Sequence, residues 1–143
     1  MHTPYCDTMN DQKLMEKARK ASEYSYSPYS EFQVGAALLT KEGEVFTGCN
    51  VENASYGLTM CAERVAIFKA VCDGRKRGDF TKIAVAGKFH DGDWQSCSPC
   101  GACRQVIYEF TSEEQKICVI YLDKKGNLKA VPIDELLPDG FTF

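Results

Sequence analysis

Pro99-Cys100-Gly101-Ala102-Cys103-Arg104-Gln105-Val106 begins a predicted helix that lies between two short apolar strands, residues 83–86 and residues 117–122. Proline suits the first turn of a helix, because a residue at that position has no need of its N–H group. A helix that joins two buried strands usually crosses over between parallel neighbours in one sheet. This stretch therefore predicts an α/β fold.

The first half of the chain predicts an antiparallel hairpin. A helix over residues 11–24 is followed by an apolar alternating strand over residues 32–39. A polar turn over residues 41–44 then leads to a return strand over residues 45–51. A second helix is predicted over residues 61–72, so we expect a mixed sheet of about five strands between helices.

The composition excludes several classes of protein. The chain has 143 residues, 44% hydrophobic and 26% charged, which suits one soluble globular domain over residues 1–143, with residues 1–10 as a candidate disordered segment. The net charge of −3 argues against nucleic acid or an anionic membrane as a partner. No apolar run reaches the roughly 18 residues of a membrane span, so none is expected.

The eight cysteines raise the question of the redox compartment. An even number of cysteines invites a disulfide framework. The polar stretch over residues 1–12 lacks the charged start and apolar core of a secretory signal, however. We therefore expect a cytoplasmic protein, in which cysteines at CxxC spacing more often bind metal or take part in catalysis.

Cys61, Cys100 and Cys103 form the predicted metal site. Cys100 and Cys103 are three residues apart at a helix start, so both sulfurs can face one side, and Cys61 begins another helix. The partial positive charge at a helix amino terminus favours thiolate over thiol. Three thiolates fill three of the four tetrahedral positions of Zn²⁺ and leave one for water, as in a catalytic zinc site.

Two neighbours of Cys61 complete this predicted site. Glu63 is placed to handle the protons of the water. Arg64, one helical turn from Cys61, is predicted to donate hydrogen bonds to the sulfurs and offset their charge; an arginine in a surface ion pair fits the spacing equally well. Cys97 and Cys100 also form a CxxC pair, but a helix that starts between them excludes Cys97 from the shared face, so we expect Cys97 not to bind zinc.

Five ordered motifs resemble the homotetrameric, three-cysteine cytidine deaminases of pyrimidine salvage, and the resemblance runs from about Tyr24 to the carboxyl terminus. The motifs are FQVGAAL (32–38), GCNVENA (48–54), CAER (61–64), PCGACRQV (99–106) and ELLP (135–138). The resemblance implies a three-layer α/β/α fold, a homotetramer and one Zn²⁺ per chain. It also implies zinc-dependent hydrolysis of cytidine and 2′-deoxycytidine to uridine and 2′-deoxyuridine with release of ammonia.

The resemblance also assigns roles to individual residues. It implies that Cys61, Cys100 and Cys103 bind zinc and that Glu63 shuttles protons. It implies that Asn50 and Glu52 contact the ribose hydroxyls and that Phe32 lies beside the pyrimidine. It further implies that the Ala62 N–H contacts the base carbonyl and that the Ser98 carbonyl contacts the leaving amine. Phe141 is implied to reach a neighbouring subunit's site. A shift of the alignment would give the last role to Phe143.

The residues alone leave alternatives open. A carboxylate at Glu52 would accept hydrogen bonds from sugar hydroxyls and repel a phosphate, which favours nucleosides over nucleotides. By spacing alone, a turn-capping Asn50 with an exposed Glu52 fits better, and Phe32 fits the core as well as a binding site. The rival functions are a deaminase of another aminopyrimidine such as an antibiotic, a zinc-stabilised binding module with Cys97 as fourth ligand, and a redox protein that uses Cys100 and Cys103.

Overall fold

The computed structural model describes residues 10–143. The candidate disordered segment therefore lies outside the described residues, except for Asn10, whose side chain caps the first helix by accepting a hydrogen bond from the Gln12 N–H at 2.7 Å. The helices are α1 Asp11–Ala21, α2 Ala62–Cys72, α3 Gly101–Phe110 and α4 Ile133–Leu136. The strands are β1 Phe32–Thr40, β2 Val45–Cys49, β3 Phe80–Phe89, β4 Trp94–Gln95, β5 Cys118–Leu122 and β6 Leu128–Pro132.

The strands form one mixed sheet in the order β2-β1-β3-β5-β6, with β4 paired to β3. The β1–β2 hairpin is antiparallel, and β3 and β5 are parallel across α3. The predicted hairpin and the predicted crossover are therefore both confirmed. The sheet has six strands where about five were expected, and the additional strand is β4. Because β4 pairs through only two residues, Trp94 and Gln95, it has no apolar run that the pattern could detect.

The predicted three layers are present, and β1 shows why. Ala36 and Leu38 pack in the cluster with α2 and α3, whereas Ala37 and Leu39 pack against α1 on the opposite face of the sheet. All four of these side chains are fully buried. Each buried leucine contributes about 1.5–3 kcal/mol relative to an exposed one, so apolar residues on both faces of β1 hold helices on both sides of the sheet.

Strand β3 starts earlier than predicted because buried polar residues precede its apolar run. Thr81 Oγ1 donates a hydrogen bond to the Leu39 carbonyl at 3.4 Å, and Lys82 Nζ forms an ion pair with Asp11 at 2.7 Å. Lys82 is only 2% exposed. Buried polar groups that have hydrogen-bond or ion-pair partners are compatible with a core strand. They interrupt the apolar run, however, from which the bounds of the strand were predicted.

The amino-terminal ends of the two helices lie later than predicted, by one residue for α2 and by two residues for α3. Cys61 is the N-cap of α2 and Cys100 is the N-cap of α3, so Pro99 precedes α3 and is not part of its first turn. Gly48 in β2 allows the close approach of α2, because a Cβ at this position would lie 2.5 Å from the Ala62 carbonyl oxygen. Among residues 10–143, no helix has the length and apolar character needed to span a membrane.

Candidate active site

Three cysteine sulfurs from two helix starts meet at one point. Cys61 and Cys100 cap α2 and α3, and Cys103 lies in the first turn of α3. Their Sγ atoms all lie within 4.8 Å of one another, with 3.9 Å between those of Cys61 and Cys100. Sulfurs at the corners of a tetrahedron with Zn–S bonds of about 2.3 Å would be about 3.8 Å apart. The cluster therefore has the size that a tetrahedral zinc ion needs.

The donor chemistry of the cluster also fits zinc. Within the described part of the chain, neither cysteine N-cap makes a side-chain capping hydrogen bond, so both sulfurs are left for a metal ion. The N–H groups of both first turns favour thiolate at these positions. Cys103 is buried, Cys61 is half-buried and Cys100 is exposed, so the cluster is enclosed on one side and open on the other. A closed side and an open side suit a catalytic ion that is accessible to substrate.

Arg64 contributes positive charge to this cluster. Its Nη2 atom donates a hydrogen bond to the Cys61 sulfur at 3.3 Å. A hydrogen bond from Cys103, helped by the Arg64 guanidinium, lowers the pKa of Cys61 to about 5. The thiolate in turn raises the pKa of Arg64, which stays charged. Arg64 thus offsets part of the negative charge that three thiolates bring together.

Glu63 is a buried carboxyl beside the cysteines. Its side chain belongs to the second residue of α2 and is only 4% exposed. Burial raises the pKa of Glu63 to about 7, and the nearby Cys61 thiolate adds to the rise. A carboxyl that titrates near neutral pH can both accept and release a proton, as general acid–base catalysis requires.

Cys97 is placed apart from the three clustered sulfurs. Its backbone N–H donates to the Leu122 carbonyl at 3.3 Å, and its sulfur lies against Gly87, 3.0 Å from where a Cβ of that glycine would be. Burial raises the pKa of the Cys97 thiol to about 12, so this side chain is a neutral thiol at physiological pH.

Phe32, at the start of β1, packs over the backbone of Gly87. A Cβ on Gly87 would lie 2.7 Å from Phe32 Cε2, well inside van der Waals contact. Phe89 packs edge-on against the Phe32 ring, with 5.0 Å between the ring centroids. The absence of a side chain at position 87 therefore fixes where the Phe32 ring can lie.

We expect Gly87→Ala to displace the Phe32 ring. Overpacking of this kind costs about 1–3 kcal/mol, so the free energy of unfolding should fall by that amount in urea denaturation. The matched control is Gly57→Ala, because a Cβ at Gly57 meets no atom of the described chain within 4 Å. Equal stability of the two variants would contradict this packing argument.

The Asn50 side chain is held almost entirely by the protein. Its Oδ1 atom accepts hydrogen bonds from the Ser25 hydroxyl and, at 3.0 Å, from the Val34 N–H. Its Nδ2 atom donates to the Phe32 carbonyl at 2.9 Å. A primary amide has two N–H donors, so one N–H is left for a ligand. Asn50 can therefore donate to a sugar oxygen, but its own oxygen is already occupied.

The Glu52 carboxylate is bound by the loop that precedes β1. Its Oε1 atom accepts from the Tyr29 N–H at 3.0 Å and the Ser30 N–H at 3.2 Å, and its Oε2 atom accepts from the Ser30 hydroxyl at 2.5 Å. The Ser30 hydroxyl is the main cause of a lowered pKa of Glu52. Glu52 is thus an ionised group with a fixed orientation.

Ala62 and Ser98 lie beside two of the zinc-ligand candidates. Ala62 is the first residue of α2, where a backbone N–H has no partner within the helix. The segment containing Ser98 is held by Arg104, which donates to the Pro99 carbonyl at 2.8 Å and to the Ser98 hydroxyl at 3.3 Å. Arg104 also donates to the Leu136 carbonyl at 2.9 Å. No role was predicted for Arg104, although a charged residue directly after the zinc-ligand candidate Cys103 could have indicated one.

The carboxyl-terminal segment packs along α3. The Phe141 carbonyl accepts a hydrogen bond from Gln105 Nε2 at 2.9 Å, and a Cβ on Gly140 would lie 2.9 Å from the Tyr108 ring. The Phe141 ring itself is 66% exposed and packs edge-on against Phe143. Within the described chain, the aromatic ring assigned to a neighbouring subunit's site is therefore at the surface.

Comparisons with known proteins agree with this geometry. The sequence pattern of the cytidine and deoxycytidylate deaminase zinc-binding region matches residues 8–120. A cytidine deaminase from Halalkalibacterium halodurans is 47% identical over 134 residues, which cover 94% of this chain and 96% of that protein. A blasticidin-S deaminase from Bacillus cereus is 33% identical over 138 residues, with 94% of each chain covered.

A solved structure gives the same result for the fold. The 1.6 Å crystal structure of cytidine deaminase from Burkholderia pseudomallei superposes with a TM-score of 0.82 and is 47% identical, and the match covers 93% of this chain and all of that one. The family pattern spans the cysteine cluster, and the structural match covers most of the sheet and its helices. This chain belongs to the zinc-binding cytidine deaminase family.

Proposed function

We propose that this protein is a zinc-dependent cytidine deaminase that converts cytidine and 2′-deoxycytidine to uridine and 2′-deoxyuridine. The observation that carries the proposal is the cluster of three cysteine sulfurs with the buried Glu63 carboxyl beside it. Cys61, Cys100 and Cys103 would hold Zn²⁺, and the ion when bound would supply Lewis-acid chemistry that lowers the pKa of water towards neutrality. The relatives that bear the name cytidine deaminase support this choice of substrate.

The chain's own residues handle the protons of the reaction. Addition of water at C4 forms a C–O bond, and Glu63 accepts the proton that the water loses and delivers it to N3 of the ring. Glu63 then takes the proton of the new C4 hydroxyl and gives it to the amine, and the C4–N bond breaks to release ammonia as the C4 carbonyl forms. A carboxyl with a pKa near neutrality suits both directions of transfer. The Ala62 N–H and the Ser98 carbonyl are the proposed contacts of the base carbonyl and the departing amine.

The sugar contacts favour nucleosides. We assign the remaining Asn50 N–H and the Glu52 carboxylate to the ribose hydroxyls, with Phe32 against the pyrimidine. The carboxylate is held ionised, because three hydrogen bonds from Tyr29 and Ser30 lower its pKa. An ionised carboxylate beside the sugar would repel a phosphate group.

An ultraviolet assay with cytidine, 2′-deoxycytidine and deoxycytidine monophosphate tests the proposal. Both nucleosides should turn over, and kcat/KM for the monophosphate should be at least about 10-fold lower, since one repulsive contact of about 1.4 kcal/mol gives that ratio. Comparable kcat/KM for the monophosphate would contradict the role of Glu52. Blasticidin S serves as a fourth substrate, because a relative carries that activity in its name. Turnover of blasticidin S alone would replace the nucleoside assignment.

We further propose a single domain that acts as a homotetramer in the cytoplasmic salvage of pyrimidines, with no nucleic-acid or membrane partner. The exposed Phe141 ring supports an assembly in which a neighbouring subunit covers it. Light scattering after gel filtration tests the assembly, and a monomer that is fully active at assay concentration would contradict it.

A further inference from the structure

A loop over residues 25–31 lies against the two proposed sugar contacts. Its backbone is fixed by two hydrogen bonds, from the Tyr26 N–H to the Asn50 carbonyl at 3.0 Å and from the Glu52 N–H to the Tyr26 carbonyl at 2.8 Å. The loop is therefore joined to the backbone of both Asn50 and Glu52. The side chains that it directs towards them determine how these two groups are presented to a ligand.

Ser30 is the residue of this loop that connects two proposed substrate contacts. Its hydroxyl donates to Glu52 Oε2 at 2.5 Å and accepts from the Phe32 N–H at 3.0 Å. Its backbone N–H donates to the other carboxylate oxygen at 3.2 Å. One serine thus binds both oxygens of the carboxylate and is itself oriented by the first residue of β1.

These bonds fix the direction in which Glu52 can accept a ligand. An ionised carboxylate has about four lone-pair positions, and three are already occupied by Ser30 and Tyr29. The remaining position is on Oε2, the oxygen that the Ser30 hydroxyl holds. Hydrogen bonds to a carboxylate are short and strong, so the hydroxyl holds the plane of the carboxylate in place.

We propose that Ser30 is a positioning residue that orients the Glu52 carboxylate towards the sugar hydroxyls of the substrate. The inference rests on the proposed function, because it needs a nucleoside in the site. It assigns to the Ser30 hydroxyl a contribution to sugar recognition and none to the chemistry at C4. A hydroxyl that only stabilises the loop would affect all substrates alike, and this difference makes the proposal testable.

The experiment compares cytidine with 2′,3′-dideoxycytidine in the zinc-loaded protein. In Ser30→Ala, KM for cytidine should rise about 10-fold, as expected from the loss of a hydrogen bond to a charged group, while kcat changes less than about 2-fold. KM for the dideoxy substrate should stay within about 2-fold of the wild-type value, because that substrate lacks the 2′- and 3′-hydroxyls that would donate hydrogen bonds to Glu52. Ser30→Thr, which keeps the hydroxyl, should restore the wild-type KM for cytidine.

Two further variants keep the test decisive. Ser55→Ala is the matched control, because Ser55 is exposed and makes no capping hydrogen bond within the described chain; it should leave both KM values unchanged. If Ser30→Ala does not fold, Ser30→Cys gives the same comparison with a weak donor in place of the hydroxyl. An equal rise in KM for both substrates, or an unchanged KM for cytidine, overturns the proposal. A wild-type protein that deaminates no cytidine nucleoside overturns the proposed function as well, so the two failures are distinguishable.

Discussion

Replacement of Glu63 by glutamine should lower kcat for cytidine about 10²- to 10⁴-fold, the range that a positioned acid–base group contributes. Glutamine has nearly the same shape but cannot accept the proton of the water or pass it to N3. The buried position costs free energy when the carboxyl is ionised, and burial is the main reason for its raised pKa. The melting temperature of Glu63→Gln should therefore equal or exceed that of the wild type.

Steady-state kinetics, zinc analysis and thermal denaturation of the same preparation check this prediction. Zinc content should stay at one ion per chain, because the sulfur ligands are unchanged. The matched control is Glu109→Gln, an exposed glutamate on α3, which should retain wild-type kcat. Activity of Glu63→Gln within about 2-fold of the wild type would show that another group moves the protons, since loss of the essential base costs far more than that.

The fold could be predicted where local pattern and burial agree. The helix that starts within the PCGACRQV segment lies between two apolar strands, and the structure places those strands side by side and parallel. The apolar pattern did not predict strand residues where polar side chains are buried. Lys82 and Thr81 extend β3 beyond its apolar run because each has a partner far away in the sequence, 71 residues for Lys82. Such pairings depend on the assembled sheet and leave no local trace.

One part of the candidate site could be predicted from the sequence and another part could not. The spacing of Cys61, Cys100 and Cys103 predicted the cluster, because two thiols three residues apart at one helix start can converge on one ion with a third thiol from another helix start. The orientation of Glu52 was not predictable, since it depends on Ser30, a residue 22 positions earlier in the chain. The resemblance named Glu52 as a ligand contact, but only the three-dimensional arrangement shows which of its lone pairs are already in use.

The second large effect concerns the metal. We expect Cys103→Ser to bring the zinc content well below one ion per chain and to reduce activity to background. Cys103 is the buried member of the cluster, so water cannot easily replace its sulfur, and an alcohol is a far weaker zinc ligand than a thiolate. The variant should also melt at a lower temperature, because an ion that binds only the folded state stabilises it by mass action.

The contrast with two other cysteines decides whether the site is catalytic or structural. Cys72→Ser is the control for loss of a thiol, since Cys72 is exposed at the end of α2, and it should keep both zinc and activity. Cys97→Ser should also keep one zinc ion per chain, because its sulfur lies against Gly87 and outside the group of three. Metal analysis after gel filtration measures all three variants. Loss of zinc in Cys97→Ser would identify a fourth protein ligand, and a zinc ion closed by four protein ligands has no open position for the chemistry that we propose.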